Sequence, residues 1–110
     1  MLSLKAGADI SKLSGKLWYA ASVLDDVVAE VMGTEQEIII TAGRNGKHAV
    51  GSKHYDTPGR ALDFRTHNLT QADKIAKALQ SKLGGAYLVL HEDAGTSNEH
   101  IHVQFGLKGK

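Results

Sequence analysis

The chain has 110 residues, 13 Lys+Arg, 12 Asp+Glu and a net charge of +1. That is the length of one domain, and the balance disfavours a nucleic-acid binder, which shows a basic face or stripe. It has no cysteine, which excludes disulfide frameworks, thiolate zinc sites, iron–sulfur clusters and cysteine nucleophiles.

In chain order, Met1 to Asp9 lacks the apolar core and cleavage site of a signal peptide, so cytoplasmic synthesis is expected. Ile10, Leu13, Leu17, Ala21, Leu24, Val28 and Val31 follow at steps of three and four. This stripe predicts a core helix over about 9–32, stopped by Gly33. Ile38 to Ile40 predicts a buried strand ending near Gly43. Residues 43–59 hold four glycines, the only proline and two histidines. This is a long loop, and long loops in small domains tend to carry function.

Arg60 to Arg65 alternates, with Leu62 and Phe64 on one face and Ala61, Asp63 and Arg65 on the other. Thr70 and Asp73 resemble an N-terminal capping pair. Ala72, Ile75, Ala76, Leu79 and Leu83 then form a second amphipathic stripe, ended by Gly84-Gly85. Tyr87 to Leu90 reads as a strand, His91 to Asn98 as a polar loop, and Glu99 to Phe105 as a last alternating strand. The order predicts an α+β fold: one domain over residues 1–110, a mostly antiparallel sheet flanked by helices, and a core region over about 37–106. No apolar run reaches the ~18 residues of a membrane span.

The chemistry concentrates in the last strand. Period two puts Ile101, Val103 and Phe105 on the core face, and His100, His102 and Gln104 on the other. Without cysteine, a metal must be held by imidazole and carboxylate. The six histidines are His48, His54, His67, His91, His100 and His102. A His from the loop (His54), an Asp from one strand (Asp63) and a His from another (His100 or His102) would give three zinc ligands. The fourth position would be left for water. His48, His67 and His91 read as solvated bystanders.

The pattern resembles a known family. Ser52-Lys53-His54, then Gly59-Arg60-Ala61-Leu62-Asp63, then Glu99-His100-Ile101-His102 is similar to the zinc D-Ala-D-Ala peptidases. That family shares its fold with the Hedgehog signalling domain and with phage L-alanyl-D-glutamate endolysins. Its signature is S-x-H-x-x-G-x-A-x-D, followed by a Glu or Asp three residues before a His. The resemblance spans roughly Glu37 to Phe105. It implies Zn2+ held by His54, Asp63 and His102, with Glu99 as catalytic base. His100 is the alternative base, or a stabiliser of the oxyanion.

One departure is visible. The signature puts six residues between the ligand His and Asp, whereas eight lie between His54 and Asp63. Asp56-Thr57-Pro58 lengthens the turn, and His48 is the alternative first ligand. A regular strand points Glu99 and His102 to opposite faces, so the base role requires a bulge or loop end that re-aims Glu99. Arg44 is a candidate to hold a substrate carboxylate, with Arg65 a weaker second. Ser52 is a candidate to orient substrate or the ligand loop.

The implied activity is hydrolysis of peptidoglycan peptides, at D-Ala-D-Ala or L-Ala-D-Glu bonds. The chain would act as a monomer on the cell wall, as a phage lysin or a virion-carried lysin. There would be no nucleic-acid partner and no membrane insertion. The alternative is a non-catalytic zinc-binding or recognition module of the same fold.

Overall fold

A computed structural model describes residues 2–11, 13–43, 60–66 and 69–106. Its elements in order are β1 (Leu2–Leu4), α1 (Gly15–Met32), β2 (Ile38–Ala42), β3 (Ala61–Arg65), α2 (Ala72–Leu83), β4 (Tyr87–Glu92) and β5 (His100–Phe105). The sheet order is β1-β2-β3-β5-β4. Among the described residues, β1 and β2 pair in parallel and the other three pairings are antiparallel. A parallel pair needs a crossover, and α1 supplies it. The fold is the expected α+β class with a mostly antiparallel sheet.

Three local expectations are corrected. The first helix begins at Gly15, not near residue 9. The Asp9 carboxylate accepts both the backbone N–H and the hydroxyl of Ser11, at 2.9 and 2.6 Å. Such a local side-chain bond competes with helix formation. Ile10 and Leu13 still pack on the core, from the segment ahead of the helix. The Thr70 hydroxyl donates to the Met32 sulfur at 3.3 Å, and the N-cap of α2 is Gln71 at φ 59° without a side-chain cap. The polar run after Leu90 is not all loop, because β4 continues through His91 and Glu92.

The helical stripes otherwise behave as read. Leu17, Ala21, Leu24 and Val28 of α1 and Ile75 and Leu79 of α2 are buried. They pack on Ile38, Ile40, Leu62, Phe64, Ile101 and Val103 of the sheet. Phe64 is fully buried, and truncating such a ring costs about 3–5 kcal/mol. Gly33 ends α1 at φ 79°, a left-handed value glycine adopts without a Cβ penalty. A Cβ at Gly43 would collide with the Asp9 carbonyl oxygen, so the end of β2 also needs glycine.

β4 is a sheet edge, and α2 covers part of it. The Gln80 amide donates to the carbonyls of Gly84 and Tyr87, at 3.1 and 2.9 Å, and accepts the Val89 N–H at 2.9 Å. One side chain thereby satisfies edge groups that would otherwise template further pairing.

Candidate metal centre

The site is built on the register of β3 against β5. Asp63 lies directly opposite His102, Arg65 opposite His100 and Ala61 opposite Gln104. Directly opposed residues share a face of the sheet. A bulge in β2 between Ile40 and Ala42 falls beside Asp63, and bulges often mark places where a side chain is re-aimed. The Thr41 hydroxyl donates to the Asp63 carbonyl at 3.4 Å.

This face is not a solvated polar surface. His102 is 3% exposed and Gln104 is fully buried. His102 Nδ1 stands 2.9 Å from Asp63 Oδ1, and its Nε2 stands 2.7 Å from Gln104 Oε1. The Gln104 amide nitrogen donates to the Gly106 carbonyl at 2.8 Å. The amide oxygen is therefore the atom turned to the ring, and His102 Nε2–H is the donor. Burial alone would push the His102 pKa down. The hydrogen bonds to Asp63 and Gln104, with the negative charges of Asp63 and Glu92, outweigh it and raise the value.

His100 sits at one end of the pair. Its Nε2 is 3.1 Å from Glu92 Oε1 and 4.0 Å from Asp63 Oδ1, and its Nδ1 is 2.8 Å from the Asn98 carbonyl. Glu92 lies directly opposite His100 in the β4–β5 register. It adds a carboxylate to this face that the sequence reading missed, because β4 was expected to end at Leu90.

Glu99 keeps the parity of a regular strand. Its Oε2 is 2.6 Å from His91 Nε2, and its Oε1 accepts the Gly95 N–H at 3.1 Å. His91 Nδ1 in turn lies 4.0 Å from Asp73 of α2. Glu99 is therefore held on the helix side of the sheet, away from Asp63 and His102. The hydrogen bond from His91, then that from Gly95, lowers its carboxyl pKa, against a smaller opposing effect of burial. His91 is not the solvated loop residue expected, but a strand residue paired with Glu99.

The structure thus brings Asp63, His100 and His102 together on one face. Among the described residues no group of three or more His, Cys, Asp or Glu is arranged to hold a metal ion. His54, its alternative His48, and the candidates Arg44 and Ser52 lie outside the described residues, as does His67.

Two of these side chains are nevertheless of donor types that zinc takes. His102 Nδ1 and Asp63 Oδ1 are adjacent and of the right chemical types, and they meet here as a hydrogen-bonded pair at 2.9 Å. The ring's other nitrogen donates to a buried amide, the arrangement typical of a metal-binding imidazole. A neutral ring with its proton on Nε2 would face a carboxylate oxygen with a lone pair. A second ring proton, on Nδ1, turns that contact into a hydrogen bond, in keeping with the raised His102 pKa.

No helix among the described residues is long and apolar enough to cross a membrane. No family model, no curated protein and no solved structure matches this chain.

Proposed function

We propose that the chain is a zinc-dependent peptidase that hydrolyses peptidoglycan stem or cross-link peptides, at D-Ala-D-Ala or L-Ala-D-Glu bonds. The observation that carries this reading is the contact of Asp63 with His102. These residues lie 39 positions apart, and the motif resemblance pairs them as ligands of one metal. His54, Asp63 and His102 would hold the ion. Bound zinc lowers the pKa of water and polarises the scissile carbonyl.

The chain's own residues supply the rest. A base on this face takes the proton of the attacking water and returns it to the leaving amine. His100 already faces Asp63 from the same side. Glu99 can serve only after its side chain leaves His91 and swings around the start of β5 to the other face of the sheet. Arg44 and Ser52 would hold the substrate. The setting would be the cell wall, reached by a lysin made in the cytoplasm.

The test is release of new amino groups from purified peptidoglycan. Chelation should abolish release, added zinc should restore it, and Asp63→Asn should remove it. No zinc-dependent release from any wall chemotype would overturn the reading. The placement of Glu99 against His91 favours one competing reading, a zinc-binding recognition module without hydrolysis. In that case metal analysis finds zinc, and wall fragments are bound but not cut.

A further inference from the structure

We propose that Gln104 is a positioning residue of this site. It fixes the His102 ring so that Nε2 is the protonated nitrogen and Nδ1 is the atom presented to Asp63 and to the metal. The claim about the metal rests on the reading above; the claim about the ring does not.

The argument starts from burial. Gln104 is fully buried in the middle of a sheet, where an unmatched amide costs about 1–3 kcal/mol. A leucine or methionine would fill the same space without that cost. The amide is matched at both ends: its nitrogen donates to Gly106 O at 2.8 Å, and its oxygen takes the ring proton at 2.7 Å.

Gly106 makes this possible. It stands at φ 105°, a conformation L side chains rarely adopt, and its N–H is tied to the Ala86 carbonyl at 2.8 Å. The chain turns there and points the Gly106 carbonyl back at the Gln104 side chain. That carbonyl accepts only, so the amide cannot rotate by half a turn without setting oxygen against oxygen.

The order of bonds is therefore directional. Gly106 fixes the amide, the amide fixes which ring nitrogen carries a proton, and the ring then offers Nδ1 to Asp63. Glutamine is the residue type that can do this, because one end must donate and the other accept. A partner that orients a metal-binding imidazole is worth roughly 10–100-fold in metal affinity.

The test compares wild type, Gln104→Met and Gln104→Glu. Met keeps the volume and loses both the acceptor and the donor; Glu keeps the acceptor for the ring and loses the donor to Gly106. Two quantities are read. One is the zinc dissociation constant, by competition with a chromophoric chelator. The other is which nitrogen of the neutral His102 ring carries the proton in the metal-free chain, by nitrogen-15 NMR at alkaline pH, above the raised value at which the ring loses its second proton. Wild type should show a slowly exchanging Nε2 proton close in space to Gln104. Gln104→Met should lose it and bind zinc about 10–100-fold more weakly. Gln104→Glu should retain it and bind zinc more tightly than Gln104→Met, but melt at a lower temperature than wild type because it sets a carboxylate oxygen against the Gly106 carbonyl.

Wild-type zinc binding that Gln104→Met leaves unchanged, or a His102 Nε2 that carries no proton in wild type, overturns the inference and leaves the peptidase reading standing. A wild-type chain that binds no zinc overturns the metal reading instead, and the ring proton in the metal-free chain still decides the role of Gln104. Circular dichroism of the three chains separates either result from loss of fold.

Discussion

Two imidazole–carboxylate pairs sit on opposite faces of the same sheet. His102 and Asp63 meet across β5 and β3, with side chains 3% and 15% exposed. His91 and Glu99 meet on the helix side, with side chains 16% and 24% exposed. The chemistry is the same and the setting differs. The first pair joins two directly opposed strand residues, and a buried amide locks its ring. The second closes the turn between β4 and β5: Glu99 also takes the Gly95 N–H, and Asp93 bonds Thr96 and Asn98 within the same turn. A partner that fixes ring orientation suits a ligand site; a partner that fixes a turn suits a clip. Strand parity alone decides which histidine joins which group.

The largest expected effect separates these roles. His102→Ala should abolish zinc binding, a loss of more than about 100-fold. It should also destabilise the metal-free chain by about 2–4 kcal/mol, since it removes a buried ring and strands Asp63 and Gln104. His91→Ala should leave zinc affinity within about threefold and lower the melting temperature less. Calorimetric titration and thermal melts of both variants measure this. Zinc binding that survives His102→Ala but not His91→Ala would reverse the assignment of the two pairs.

The pairs should also lose their stabilisation at opposite ends of the pH scale. The His102 pKa is raised above its ordinary 6.5. Its charged contact with Asp63 therefore contributes fully below 6.5, and the contribution is lost as pH rises through the raised value. The Glu99 pKa is lowered from its ordinary 4.5. Its contribution is present above 4.5 and is lost as pH falls through the lowered value. Urea midpoints of the metal-free chain should show the gap between wild type and His102→Ala narrowing toward alkaline pH. The gap for Glu99→Gln should narrow only in acid. Zinc displaces the His102 proton, so zinc affinity should weaken as pH falls below the raised value. A His102→Ala gap that widens with rising pH would contradict the sign.

How much of this was legible in the sequence follows from what each signal measures. Helical stripes report burial, and both helices follow theirs. They do not report where a helix starts, because Ile10 and Leu13 keep the spacing while Asp9 and Ser11 hold the backbone outside the helix. The three residues of β1 are too few to show a period. Period two in β3 and β5 put Asp63 and His102 on one face, and the motif resemblance joined them. Period two places Gln104 on that face but does not mark it as buried, because burial of a sheet's second face is a tertiary property. Glu92 was missed because His91-Glu92-Asp93 has loop composition, and only pairing with β5 extends the strand. For Glu99 the parity argument and the motif disagreed, and the structure keeps the parity.

The smallest expected effect tests why a buried polar group is present. Gln104 is matched at both ends, whereas the Ser14 hydroxyl is buried with no hydrogen-bond partner among the described residues. Ser14 occupies the N-cap of α1 with extended backbone, but its side chain makes no cap bond. Its carbonyl receives the N–H groups of Leu17 and Trp18 at 3.1 and 3.2 Å, and alanine keeps that carbonyl. An ordinary Ser-to-Ala change at an N-cap costs about 1 kcal/mol. Here the lost hydroxyl takes no bond with it and relieves an unmatched polar atom. Ser14→Ala should therefore stay within about 0.5 kcal/mol of wild type, on the stabilising side if it departs. Chemical denaturation resolves the two cases. A loss near 1 kcal/mol would mean that the hydroxyl caps α1 in solution, and that buried polar atoms in this fold keep partners on the helix side as they do at Gln104.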